Sequence, residues 1–449
     1  MAPHEAFHTG IDGHGAPHAA AAATPVATAL ESPYRSILAA VDCSDHANRG
    51  VAEALALAGL SGGRITGIHV YAARLHDQRF RQMEGGLPQR YRQQEMLEQQ
   101  RDIHNDLITR GLTLIADSYL DDAARACAKA SIPFSPCTAE GKNYRELLNE
   151  TNSGRHDLLV MGAQGLGQLA DRQLGTVCER VVRRTAIDTL VIKDPGRRLA
   201  DGPIVIALDG SQAAYGGLMT ALALAQAWGV RLHAVAAYDP HFHYVAFNRI
   251  SRVLSEQASR SFRFKDQERL HEEVIDAGLA RIYESHLSVA RSIAGEHGVP
   301  IETLLLAGKP YAAIEKHLRS VQASLLVIGK LGVHADDDLD IGGNAERLLR
   351  SVDCAVLLSR RVHQPRTETV AAATTSWSIE AQQRMLRVPE FARRMARMAI
   401  LQYAQEQGHT VITEKIVDEA TARLCPGHAR QAAARHHGTP DPGLEASDA

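Results

Sequence analysis

Three glycines and a threonine, Gly162, Gly165, Gly175 and Thr176, follow a short apolar run in the order G-x2-G-x9-G-T. Residues without a Cβ, placed after a parallel strand, let backbone N–H groups come close to phosphate oxygens. Val177 to Arg184 continues as a helical pattern, so Gly175 and Thr176 stand at a helix N-terminus. Unpaired amides and the helix dipole favour anions there, and the Thr176 hydroxyl adds a donor. The chemistry on offer is the seating of a phosphate. Glycines that only make turns would give one such group; the full spacing returns at Gly329, Gly332 and Gly342, and an acid, Asp42 or Asp209, ends the first apolar run of each region. At the carboxyl edge of a doubly wound sheet, such an acid faces a base or ribose across the point where strand order reverses.

Other chemistry is thinly represented. No G-x4-G-K-[ST] occurs, and neither glycine cluster is followed by the lysine that phosphoryl-transfer loops use, so hydrolysis is expected to be slow at most. Ser44 and Ser211 lie just past the two acids; without a G-x-S-x-G elbow they are expected to cap helices rather than act as nucleophiles. The six cysteines form no CxxC pair, which reads as reduced structural thiols. Asp239, His241 and His243 admit a metal, but the equivalent stretch of the first region lacks the histidine pair, which favours a solvated loop.

The elements that must position the glycines come from a duplication. Residues 36–193 lie over 203–360 at a constant offset of 167, with matches at Asp42/Asp209, Ser44/Ser211, Gly50/Gly217, Tyr71/Tyr238, Tyr144/Tyr311, Glu179/Glu346 and Arg180/Arg347. Turn-forming, polar and aromatic identities at one shift mark a repeat, not shared composition. In the first copy the strand candidates are Ile37 to Asp42, Arg64 to Tyr71, Ile132 to Thr138, Asp157 to Gly162 and Thr189 to Lys193, with helical patterns between, the clearest at Asp45 to Leu60 and Gln89 to Lys129. Each copy is therefore expected to be α/β, a doubly wound parallel five-stranded sheet, followed by a small all-α C-terminal domain.

The expected division is a disordered leader over 1–33, the first domain over 34–194, the second over 203–360, a structureless linker over 361–376, a helical module over 377–426 and a disordered tail over 427–449. In the module, Ser378 to Arg387 fits one helix, Pro389 suits the first turn of another, Phe391, Met395, Met398, Ala399 and Tyr403 recur at helical spacing, and Thr413 starts a third. The chain has 449 residues, 45% hydrophobic and 22% charged, which excludes wholesale disorder, and no apolar stretch approaches the roughly 18 residues of a spanning helix. The first 30 residues lack the basic start of a signal peptide, so a cytoplasmic location is expected. A net charge of −3, and a C-terminal module whose arginines are balanced by acids, argue against nucleic acid as partner.

The doubled glycine pattern behind a strand-ending acid resembles the universal stress protein family, of the ATP-binding type, in tandem form. The resemblance covers about 320 of the 449 residues. It implies a sheet that holds ATP or AMP, pairing through the fifth strands, and no robust catalysis. Carried over by position, adenine and ribose contacts fall on Ala40, Val41, Asp42 and Val70, and phosphate contacts on Gly162, Ala163, Gln164, Gly165, Gly175, Thr176 and Val177. Asp209, Gly329, Gly332 and Gly342 take the matching places in the second copy. There the pattern departs: position 343 is Gly where Thr176 has a hydroxyl, Ala237 replaces Val70, and the loop from Val333 to Ile341 carries four aspartates against a net charge of zero in Leu166 to Leu174. Like charges repel a polyphosphate unless a divalent cation intervenes. The first copy is thus expected to be the better nucleotide site, and the second weak, Mg2+-dependent or vacant.

Trp377, Ala381, Pro389, Arg394, Ala404, Gly408 and Ile412-Thr413 resemble the small C-terminal domain of light-independent protochlorophyllide reductase subunits. The reductase's iron–sulfur cysteines are absent, so its chemistry does not transfer, and docking of a protein partner is the expected role. Taken together, the sequence points to an adenine-nucleotide-binding stress-response regulator, not an enzyme, with the copies joined through Leu190 and Leu357 as an intramolecular pseudo-dimer and a homodimer left open. The alternatives are a slow ATP-hydrolysing or other adenine-nucleotide enzyme and a nucleotide-free scaffold.

Overall fold

The computed structural model describes residue 30 and residues 33–167, 174–240, 276–333, 335–336 and 339–424. Most of the expected leader, the whole expected tail, Asp171 and Arg172, Asp337 and Asp338, and the His241/His243 pair lie outside the described residues.

Each copy starts with a strand that is buried on both faces and almost wholly apolar, Ser36 opening the first. In the first, β1 (Ser36–Ala40), β2 (Arg64–Tyr71), β3 (Phe134–Glu140), β4 (Leu158–Gly162) and β5 (Asp188–Ile192) form a parallel set in the order β3-β2-β1-β4-β5. The second copy repeats this with β6 (Ile204–Ala207), β7 (Leu232–Tyr238), β8 (Glu302–Ala307), β9 (Leu325–Gly329) and β10 (Ala355–Ser359). Side chains alternate between faces: Ile37 and Ala39 join one buried layer and Leu38 the other, and both layers run through the two copies.

The copies share one ten-stranded sheet, because β5 and β10 pair antiparallel with Leu190 opposite Leu357. Polar groups frame this seam. Asp188, buried, accepts from the Tyr34 hydroxyl at 2.7 Å and from the Arg360 amide at 2.6 Å. Arg183 pairs with Glu346 and Arg350 with Glu179, one ion pair in each direction. The recurrence of Glu179 and Glu346 in the sequence is thereby explained. So is that of Tyr144/Arg180 and Tyr311/Arg347: each arginine lies over its own copy's tyrosine, at 4.9 and 4.6 Å.

Ser44 and Ser211 cap the first helices, Asp45–Ser61 and Gln212–Trp228, by accepting from the amides of Ala47 and Ala214. Strand one is shorter than its apolar run suggests. It ends at Ala40, and Val41 and Asp42 belong to the turn that follows, where Cys43 takes φ +61°. The periodic stretch from Gln89 breaks into a short 3-10 turn, Gln89–Tyr91, and a helix, Gln94–Lys129, which pairs with helix Ala73–Met83.

Two expectations fail beyond the second copy. The segment over 361–376 is not structureless: Thr367–Thr374 is a helix that lies between helix Asp276–Glu296 and the C-terminal module, burying Ala371. Its small Ala and Thr residues suit close packing between two larger elements, and period alone gave too little signal over eight residues. In the module, helices Ile379–Leu386, Glu390–Glu406 and Glu414–Leu424 surround Ala381, Met385, Ile400, Leu401, Ala404, Ile416 and Val417, with Ser376–Trp377 pairing with Val411–Ile412. Phe391 and Met395 do not join that core; they are 91% and 74% exposed, because they lie on the face of their helix away from the half-buried Ala392, Arg393 and Ala396. Among the described residues, no helix is long and apolar enough to cross a membrane.

Candidate functional site

The carboxyl ends of β1, β2 and β4 open onto a cavity of about 570 Å³, closed on one side by the first turn of helix Thr176–Arg184. All eleven first-copy candidates line it: Ala40, Val41, Asp42, Val70, Gly162, Ala163, Gln164, Gly165, Gly175, Thr176 and Val177. Apolar side chains of Ile68, Val70, Met161 and Leu147 line it together with the glycine turn and the helix start.

Two of the glycines leave no room for a Cβ, and the third leaves little. A Cβ on Gly162 would come within 2.7 Å of His46 Cβ, one on Gly165 would strike the Asp42 carboxylate, and one on Gly175 would lie 3.2 Å from the Ala163 carbonyl. The structure also refines which amides are free. Ala163 N–H donates to the Ile192 carbonyl and Gly175 N–H to the Ala163 carbonyl, at 2.8 and 2.7 Å. Gly175 therefore shapes the turn as helix N-cap, with no side chain to occupy the helix end. The amides left for an anion are those of the first turn, from Thr176 to Cys178, which the helix itself does not use.

Asp42 has two duties. Its Oδ1 accepts from the Ser44 amide at 3.0 Å and from the Ser44 hydroxyl at 2.6 Å, which fixes the turn, while the carboxylate lines the cavity. The other titratable lining residues are His69 and Cys178. His69 Nδ1 is 2.6 Å from the Val41 carbonyl and so braces the strand end, with Tyr119 against its ring. Burial pushes the Cys178 thiol up to about 12, which keeps it protonated and unreactive. None of the three is set as a nucleophile beside a base.

The second copy builds the same turn around a smaller space. Asp209 Oδ1 accepts from the amide and hydroxyl of Ser211, its Oδ2 accepts from Val333 N–H at 2.8 Å, and Gly342 N–H donates to the Lys330 carbonyl. Asp209, Gly329, Gly332 and Gly342 all line a cavity of about 240 Å³. Tyr283 lines it too, at the position that Ala116 holds in the first copy, and its ring stacks on Tyr238. His286 lies against Gly210, where burial holds its imidazole below the ordinary range. Of the four loop aspartates, Asp340 pairs at 3.1 Å with Arg183 of the first copy, which it shares with Glu346; Asp337 and Asp338 lie outside the described residues. Among the described residues, no group of three or more His, Cys, Asp or Glu is arranged to hold a metal ion.

Sequence reasoning missed Ile68, His69, Asn143, Leu147 and Cys178 as lining residues. Asn143 was within reach, since the repeated Gly-Lys-x-Tyr at 141–144 and 308–311 marks the turn that carries it. His69 was not, because its match is Ala236 and its contact is to a backbone carbonyl. The C-terminal arginines are largely engaged within the chain: Arg384 pairs with Asp418, Arg393 donates to the Val388 carbonyl and Arg397 lies over Trp377.

The family model described as the Universal stress protein family matches residues 33–193 and again 202–360, more than two thirds of the chain. A second, described as the Proto-chlorophyllide reductase 57 kD subunit, matches residues 377–420. A universal stress protein of Thermus aquaticus is 31% identical over 158 residues, 35% of this chain and 97% of the relative. One from Mycobacterium tuberculosis is 27% identical over 219 residues, 47% of this chain and 61% of that protein. A universal stress protein crystal structure from Archaeoglobus fulgidus aligns over 74% of this chain and 98% of its own, at 16% identity and a TM-score of 0.47.

Proposed function

The chain belongs to the universal stress protein family, and from that premise we propose that its first copy binds an adenine nucleotide, ATP or AMP, as a cytoplasmic stress-response regulator. The observation that carries this reading is one cavity that brings apolar side chains and free helix-start amides together. An apolar slot beside the strand ends suits a base, Asp42 suits a ribose, and the amides of Thr176 to Cys178 suit phosphates. A volume of about 570 Å³ falls within the ~300–1,000 Å³ of small-ligand sites, whereas about 240 Å³ falls below it.

Binding without turnover is the favoured chemistry. Asp42 is committed to Ser44, His69 to a backbone carbonyl, and Cys178 stays a thiol. The second copy is weak, Mg2+-dependent or vacant, because Tyr283 occupies space there and Gly343 supplies no hydroxyl. The C-terminal module docks a protein partner; the exposed Phe391, Met395 and Leu386 support that role.

The test is release of ligand from purified protein by heat, followed by mass spectrometry, and calorimetric titration with ATP and AMP. One equivalent of adenylate per chain is expected. Absence of both co-purifying and titrated nucleotide would favour the scaffold, and steady product formation the enzyme.

A further inference from the structure

Lys330 stands inside the second copy's glycine turn, between Gly329 and Gly332, where the first copy has Ala163. Its side chain does not face the second cavity. It crosses the seam and is 2% exposed, with Nζ donating to the backbone carbonyls of Arg183 at 2.6 Å and Thr185 at 3.0 Å. Those carbonyls close the C-terminal end of helix Thr176–Arg184, the helix whose opposite end lines the first cavity.

The surrounding contacts are nearly symmetric, which makes the lysine stand out. Lys193, at the end of β5, donates to the carbonyls of Leu349 and Arg350 at the end of helix Gly343–Ser351. Its match, Arg360, reaches back to the Thr185 carbonyl at 3.4 Å. Lys330 is an additional clamp on one helix only, since Ala163 cannot return it.

We propose that Lys330 is a positioning residue for the first copy's phosphate seat, so that the glycine turn of one copy sets how well the other holds an anion. The inference rests on the nucleotide reading above. A helix of nine residues is only about 13 Å long, so play at its carboxyl end reaches its first turn. A cation at that end also satisfies carbonyls the helix leaves open and complements its dipole. The helix has no side-chain N-cap, so its start depends on how its other end is held.

The positive charge gives the role a signature that packing alone would lack. Burial, then the Arg360 guanidinium, lower the Lys330 ammonium to about 8, with Asp340 acting the other way. Arg183, whose carbonyl it holds, is itself paired with Asp340 and Glu346.

The experiment is calorimetric titration of the full chain with ATP at pH 7 and pH 9, for wild type and Lys330→Met, with thermal melts as a folding control. Wild-type affinity should fall at least about fivefold as the ammonium loses its proton, at the lower end of couplings between sites. Lys330→Met should be weaker at pH 7 by a similar factor and flat with pH. A folded Lys330→Met that binds as wild type does, or a wild type whose affinity is unchanged between pH 7 and 9, overturns the proposal; the second result needs no variant. A wild type that binds no ATP at either pH removes the nucleotide reading, and this inference with it.

Discussion

The two cavities share a backbone plan and differ in what fills it. Both have an aspartate in the turn after strand one bonded to a capping serine, a glycine turn, and a helix whose N-cap glycine donates back to that turn. The first leaves about 570 Å³ open, and the second about 240 Å³, with Tyr283 where the first has Ala116. Duplication has preserved the turn, with Gly162, Gly165 and Gly332 too close to their neighbours for a Cβ, while the wall residues have diverged. A glycine motif reports backbone shape, and occupancy is decided by side chains outside it.

The largest expected effect breaks the first cavity. Gly175→Val places a branched side chain against the Ala163 carbonyl and should weaken ATP binding by more than about tenfold, the scale of a lost charge-assisted contact. Gly342→Val should leave affinity and stoichiometry unchanged in the same calorimetric titration. Equal losses would mean that both copies bind.

Opening the second cavity sharpens the contrast. The double change Tyr283→Ala and Gly343→Thr should add a second, weaker equivalent of nucleotide, strengthened by Mg2+. A stoichiometry that stays at one would assign the difference to the acidic loop instead.

Acid should also separate the copies. Burial holds His233, His286 and His317, all in the second copy, below the ordinary imidazole value. The unfolded chain binds protons that the folded copy refuses, so stability is complete above about pH 6.5 and is lost as pH falls through the folded values. Hydrogen-exchange protection, taken relative to the intrinsic rate at each pH, should fall at β7 between pH 7 and 5 more than at β2.

The smallest effects concern the turn after each aspartate. Gly210 takes φ +84° with His286 against it, so Gly210→Ala should cost about 1–2 kcal/mol in thermal unfolding. Cys43 holds the matching position at φ +61°, and Cys43→Gly should be stabilising by at most about 1 kcal/mol.

What was legible in the sequence follows from how each feature is encoded. The α/β architecture and the glycine turn were readable because both depend on local patterns: apolar runs, missing Cβ atoms and a capping serine. Leu190 opposite Leu357 was legible only through the family resemblance, which implies pairing through the fifth strands. The wall residues were harder. Tyr283 enters its cavity from a helix far along the chain, and neither its type nor its spacing announces that. Phe391 and Met395 misled for the opposite reason: their helical spacing fits a buried face, but which face of the helix the module covers is a tertiary matter. The engagement of the Gly175 amide could not be read at all, since it depends on a carbonyl twelve residues earlier.

The antiparallel meeting of β5 and β10 has an evolutionary corollary. Identical chains around a two-fold axis must change both halves of their contact at once, so every substitution is confronted with its own image. Covalent linkage lifts that constraint: a mutation on one side can be judged alone, as the unreciprocated lysine at position 330 illustrates. A fused pair is thereby free to specialise, one half retaining an ancestral task while the other drifts toward supervising it.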